Sequence, residues 1–181
     1  MTAMGQGTRE RGQRLGPRGV VACGCGSCPL SPVPCPLGPG EIFFSKTPAT
    51  IVAVLGSCVA VALWDPQSRA GGMNHYLLPR WRGGAESAKY GDVANLRLLA
   101  RFERAGIPLS RLRAKVFGGA CVMKALCGRP NPLCAQNVAE AREFLDAHAI
   151  SIDEEQVEGT AGLRVVFDTA DGTASVRRLG R

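Results

Sequence analysis

The sequence predicts an α+β fold in a single folded domain, on three observations. From Gly40 onward most apolar runs are short and rich in β-formers, only two stretches carry a helical period, and strands and helices alternate irregularly. A doubly wound nucleotide-binding sheet would need regular alternation, and no GxGxxG or phosphate loop follows any strand. The 181 residues leave room for one domain with a substantial core and hardly for two.

The elements follow in order. "EIFFSK" (41–46) and "TIVAVLGSCVAVALW" (50–64) read as strands, the second interrupted at Gly56. "DPQSRAGG" (65–72) is turn chemistry, and "MNHYLL" (73–78) returns as a strand that Pro79 stops. In "ESAKYGDVANLRLLARFERAG" (86–106), Tyr90, Ala94, Leu98 and Phe102 fall four apart, which predicts an amphipathic helix ended by Gly106 and Pro108. "RLRAKVF" (111–117) alternates Leu112, Ala114 and Val116 with basic residues, as a half-buried strand does. A second helix spans about 135–148, with Val138, Ala141 and Leu145 inward. "ISID", "LRVVF" and "TASVRRL" complete the strands, and Asp171-Gly172 turns the last pair into a hairpin.

Residues 1–38 differ in texture and predict a disordered leader rich in glycine, proline and cysteine, ahead of a folded domain at 39–181. "GVVAC" is too short for the apolar segment of a signal peptide. Cys23, Cys25, Cys28 and Cys35 have no scaffold to aim their thiolates, so no metal is expected there. Cys121, Cys127 and Cys134 stand six or seven apart, wider than zinc knuckles use, and are expected as free thiols. The net charge of +7 shows no basic stripe interleaved with aromatic residues, which argues against nucleic acid, and no run approaches membrane-spanning length.

The chemistry centres on Cys58 and His75. If 50–64 and 73–78 pair as a hairpin about a turn centred between Pro66 and Gln67, paired positions add to 133, and Cys58 meets His75. Directly opposed residues project to one face with Cβ atoms roughly 5 Å apart, whereas a one-residue slip would send the histidine to the other face. A thiol beside an imidazole is the minimum for nucleophilic cysteine chemistry: the imidazole takes the proton and the thiolate attacks a carbonyl. Gly56 would allow an unusual backbone path before the nucleophile, and the N–H of Ser57 or Cys58 would hold the oxyanion. The competing reading is a buried structural cysteine, which spacing alone favours. His148 sits at an expected helix end, where a surface cation belongs.

These residues carry a family likeness. "LGSCVAVALWDP" (55–66) with "GGMNHYLLP" (71–79) resembles the signature of the CheD-type chemoreceptor glutamine deamidases. The resemblance continues through "PGEIFFSKTPATIVAVLGSC", "KYGDVANLRLLARFERAGIP", "LRAKVFGGACVM", "QNVAEAREFLDAHAISI" and "GLRVVFDTADGTASVRRL", about residues 39 to 180. It implies a protein-glutamine glutaminase that converts specific receptor glutamines to glutamate through a thioester, with Cys58 as nucleophile and His75 as base. It implies a cytoplasmic protein without a cofactor, whose partners are methyl-accepting chemotaxis receptors and, in some bacteria, a CheC-type phosphatase. The fold it implies is a β-rich layered, sandwich-like domain with two helices outside, similar to the catalytic domains of deamidating toxins.

Several positions depart from the pattern. The family's threonine five or six residues before the nucleophile is replaced by Val52 and Ala53, and Thr50 stands eight before. Thr50 and Ser57 are the hydroxyls left to assist. Asn137 remains, but Cys134 and Gln136 replace the glycine and arginine before it, and Glu158-Gly159 stands where a glycine pair is common. The departures keep a second reading open, a degenerate module that binds receptors or the phosphatase without turnover. Gly118 and Gly119 read either as a close approach to the site, with amides facing substrate, or as a tight turn. Asp65 reads as an orienter of His75 or, more simply, as a turn residue, and Trp81 with Arg82 as a docking rim or a plain surface loop.

Overall fold

The computed structural model describes residues 33–122 and 132–180. Its elements are β1 (Cys35–Pro36), β2 (Ile42–Ser45), β3 (Thr50–Leu55), β4 (Val59–Trp64), β5 (Gly71–Asn74), α1 (Gly91–Arg104), β6 (Arg113–Gly118), α2 (Leu133–Ala147), β7 (Ser151–Val157), β8 (Leu163–Asp168) and β9 (Ala174–Arg178). They form a four-stranded sheet in the order β1-β3-β8-β9 and a five-stranded sheet in the order β2-β5-β4-β6-β7. Both sheets are mixed, because β1 runs parallel to β3 and β6 parallel to β7. The fold is α+β, as the irregular alternation predicts. Most of the expected leader lies outside the described residues, but pairing begins at Cys35, and Leu37 is buried. The structured chain therefore starts ahead of the expected boundary.

Two cores flank the five-stranded sheet. Ala60 and Ala62 of β4 and Met73 of β5 pack with Ile51, Ala53, Leu55, Val165 and Phe167 between the sheets. Val59, Val61 and Leu63 point the other way, onto Ala94, Leu98 and Phe102 of α1 and Val138, Ala141 and Leu145 of α2. Covered on both faces, β4 loses the polar alternation of a one-sided strand and reads as a continuous apolar run. The helical faces are those the 3.6-residue period selects, except that Tyr90 caps α1 instead of lying within it.

The β4–β5 hairpin closes in a different register from the expected one. Ala62 pairs with Met73, Leu63 with Gly72 and Trp64 with Gly71, so partners add to 135, not 133. The cause is the turn. The Asp65 carboxylate accepts from the N–H groups of Gln67 and Ser68 and from the Ser68 hydroxyl, Arg69 takes a left-handed φ of 59°, and the loop closes only at Ala70. Burial alone would raise the Asp65 carboxyl, but these donors and the Arg111 guanidinium hold it below its ordinary value. Asp65 is thus a turn residue, at the end of β4 remote from Cys58. Gly71 and Gly72, expected in the turn, lie inside β5, where a Cβ on Gly72 would stand 2.6 Å from the Phe43 carbonyl and one on Gly71 2.5 Å from Thr169 Cγ2. The expected strand over 73–78 instead ends at Asn74.

Candidate active site

Residues 56–58 carry the chain out of β3 in one sheet and into β4 in the other. All three of their carbonyls are fastened. The Gly56 carbonyl accepts from Ala120 N–H at 2.8 Å, Ser57 from Asn137 Nδ2 at 3.0 Å and Cys58 from Gly119 N–H at 2.8 Å. With the carbonyls committed, the N–H groups of Ser57 and Cys58 have no acceptor among the described residues except the Cys58 sulfur itself. Fixed amides with nothing to donate to are the raw material of an oxyanion hole.

Gly56 does not need the special backbone expected of it: its φ is not left-handed, and a Cβ there would meet only Val122 at 3.4 Å. The strained geometry lies across from it. Gly118 has φ 104° and Gly119 φ 64°, and a Cβ on Gly118 would fall 2.2 Å from the Cys58 carbonyl oxygen. Of the two readings of this pair, the close approach is observed. The amides of Gly119 and Ala120, however, face the carbonyls of the nucleophile's loop, not a substrate.

His75 lies just past β5, where the hairpin separates. The ladder pairs Ala62 with Met73 and resumes as a bridge between Val59 and Tyr76. Between them Asn74 takes the strand's place: its Oδ1 accepts from Val61 N–H at 2.9 Å, and its Nδ2 donates to Asn95 Oδ1 of α1 at 2.7 Å. His75 turns its backbone toward the segment before β2, accepting from Gly40 N–H at 2.6 Å and donating to the Glu41 carbonyl at 3.1 Å.

The changed register preserves the shared face. Slipping the sum by two moves each partner by two residues, so the alternation is unaltered. Cys58 follows Ala60 and Ala62, His75 follows Met73, and all three of those neighbours face the inter-sheet core. Counting between the Ala62–Met73 pair and the Val59–Tyr76 bridge, position 75 falls opposite 60 and Cys58 falls diagonal to it. Cys58 is half-buried and His75 is 2% exposed.

No hydrogen bond joins the Cys58 sulfur to the imidazole among the described residues. His75 Nδ1 bonds the Leu37 carbonyl at 3.3 Å, and its Nε2 is buried without a partner. Burial pushes the His75 imidazole below its ordinary value, against the opposing pull of the Leu37 carbonyl and the Glu41 charge. Burial likewise pushes the Cys58 thiol up, partly offset by its own backbone N–H. The resting pair is therefore a neutral thiol and a neutral imidazole.

The remaining expected residues divide. Asn137 is fully buried on α2, and its Nδ2 also donates to the Leu77 carbonyl at 2.9 Å, so one amide ties the loop before Cys58 to the segment after His75. Its own carbonyl accepts from the Tyr76 hydroxyl at 2.7 Å. Ser57 is half-exposed beside the nucleophile. Thr50 is not brought to the site: it begins β3, roughly 17 Å of strand from Leu55, and alternates away from the buried Ile51, Ala53 and Leu55. Trp81 is 40% exposed, its N–H held by the Asp92 carboxylate. His148 ends α2, with its Nδ1–H donating to the Phe144 carbonyl at 2.8 Å.

Among the described residues no group of three or more side chains is placed to hold a metal, and no helix is long and apolar enough to cross a membrane. Cys23, Cys25, Cys28 and Cys127 fall outside those residues. Cys35, Cys58 and Cys134 are free thiols, whereas Cys121, expected free, is disulfide-bonded. The Leu37 carbonyl is the group that sequence reading missed; backbone atoms leave no signature, and "CPL" (35–37) is too short to show a strand period.

Comparison with known proteins identifies the family. The family model described as CheD chemotactic sensory transduction matches residues 77–178. A probable chemoreceptor glutamine deamidase CheD 1 of Anaeromyxobacter dehalogenans is 45% identical over 140 residues, covering 77% of this chain and 81% of that protein. A probable chemoreceptor glutamine deamidase CheD of Rhodospirillum rubrum is 43% identical, covering 79% and 81%, and one of Trichlorobacter lovleyi is 36% identical, covering 78% and 88%. The family model covers more than half of this chain and the relatives cover more than three quarters of it: the chain belongs to the CheD family.

Proposed function

We propose that this protein hydrolyses the side-chain amide of specific glutamines on methyl-accepting chemotaxis receptors. The observation that supports the reading is a buried imidazole that keeps one nitrogen unpartnered, on a strand segment whose alternation places it on the same face as a half-buried free thiol. Cys58 gives its proton to His75 Nε2, and the sulfur attacks the glutamine Cδ. The resulting oxyanion is held by the Ser57 and Cys58 N–H groups. The imidazolium returns the proton to the nitrogen as the C–N bond breaks, releasing ammonia and leaving a thioester. Water, deprotonated by His75, attacks the thioester, and glutamate departs with the thiol restored.

No cofactor takes part. The domain of residues 39–181, with the strap at 35–38, works in the cytoplasm, where receptor signalling domains lie, and a CheC-type phosphatase is a second partner. Two sheets with helices outside also suit kinship with the catalytic domains of deamidating toxins. The test is ammonia release from a purified receptor cytoplasmic domain, with mass spectrometry locating glutamate at former glutamines. Cys58→Ala and His75→Ala should each lower the rate on the order of a thousandfold or more; undiminished release from Cys58→Ala would overturn the proposal. The second reading, a binding module without turnover, draws on Val52 and Ala53, which offer no hydroxyl. Receptor binding with no ammonia from the unaltered protein would favour it.

A further inference from the structure

We propose that the backbone carbonyl of Leu37 is the third member of the catalytic constellation, accepting the Nδ1–H of His75 and fixing the tautomer in which Nε2 is free to take the thiol proton. This deepens the deamidase reading and rests on it for the identity of the nucleophile.

A carbonyl oxygen only accepts, so its contact with Nδ1 places the proton on that nitrogen. The neutral ring then has its lone pair on Nε2, which is buried and unpartnered. Burying an idle acceptor is unfavourable, and a proton arriving from a thiol is what this one is shaped to receive. The Nδ1 contact is long, 3.3 Å, and catalytic hydrogen bonds are often long before substrate is bound.

The carbonyl is anchored. Leu37 N–H donates to the Val52 carbonyl at 2.8 Å, extending the parallel β1–β3 pairing, and the Leu37 side chain is 6% exposed in the inter-sheet core. Gly38 N–H is held by Glu41 Oε2 at 2.7 Å, and Gly38 and Glu41 close the loop at 3.1 Å. Residues 37–41 thus grip His75 at three points: the ring nitrogen, the backbone N–H and the carbonyl. No hydroxyl stands at 52 or 53, yet Val52 still serves, through its own carbonyl, as the anchor for the group that orients the base. Leu37 is a positioning residue; it does not touch substrate.

The test uses the full chain with ¹⁵N-labelled histidine and His148→Gln, which leaves His75 as the one imidazole signal. At pH 8 the two nitrogen shifts should report a proton on Nδ1 and none on Nε2. Leu37→Ala retains both backbone groups and should keep that tautomer. Leu37→Pro removes the N–H bonded to Val52, and should mix the tautomers and lower kcat about tenfold to a hundredfold with KM nearly unchanged, the range seen when a histidine's outer partner is lost. A proton on Nε2 in the unaltered protein would overturn the inference even if ammonia is released. An Nδ1 proton with no ammonia would uphold the tautomer and its Leu37 partner while defeating the deamidase reading and, with it, their catalytic use. If Leu37→Pro fails to fold, the tautomer of the unaltered protein decides.

Discussion

At the scale of single residues, the site's chemistry follows from where burial puts two protons. A solvent-exposed Cys–His couple can rest as a thiolate–imidazolium pair, but here desolvation disfavours both charges: it raises the Cys58 thiol and lowers the His75 imidazole. In the proposed reaction, proton transfer then accompanies the attack. Alkylation of Cys58 by iodoacetamide in the substrate-free protein should be slow near neutral pH and should still be rising, without a plateau, as pH passes the ordinary thiol value of 9.0. The deamidation rate should meanwhile hold down to pH values below the ordinary imidazole value of 6.5, because the base stays neutral there. Rapid alkylation at pH 7 would show a resting thiolate and contradict this account. The sequence singled out the two residues proposed to react, through spacing and family likeness, but not the direction in which burial moves their protons, which depends on what covers them.

At the scale of elements, α2 acts as a clamp. Asn137 reaches from it to the Ser57 and Leu77 carbonyls and receives the Tyr76 hydroxyl, while Arg80 binds Glu140 one turn further along at 2.5 Å. Asn137→Ala should cost about 1–3 kcal/mol of stability, since two partly buried carbonyls lose their donor, and should lower kcat more than it raises KM. Urea unfolding and steady-state kinetics would check both; an intact kcat would deny the clamp. Element boundaries were legible to within about two residues for α2 and β8, whereas α1 begins at Gly91, five residues after the stretch expected to be helical. The hairpin register was not, because the Asp65 side chain widens the turn by contacts that no alternation encodes. Nor was the interior position of Gly71 and Gly72, which is set by Thr169 and Phe43 packing from distant sequence. The family likeness marked Asn137, but its role as a tie between two loops appears only once α2 is placed against them.

At the scale of the whole molecule, stability should peak in a window set by the same pair. The folded state keeps the His75 imidazole below its unfolded value, so as pH falls through 6.5 the unfolded chain takes a proton that the folded one refuses, and stability drops. The folded state keeps the Cys58 thiol above its unfolded value, so stability contributed below 9.0 is lost as pH rises past it. Thermal melts from pH 5 to 10 should give a plateau between those limits, with the acid shoulder reduced in His75→Gln. An acid shoulder of unchanged size in that variant would assign the loss to other groups.

The five-stranded sheet separates two kinds of work. Sulfur and imidazole face its inter-sheet side, whereas Asn137 and Asn95 hold the local backbone from the helical side. Polar ties on one side and the groups proposed to react on the other are thus joined only through the main chain, so a change among the ties reaches the chemistry by shifting backbone and not by direct touch.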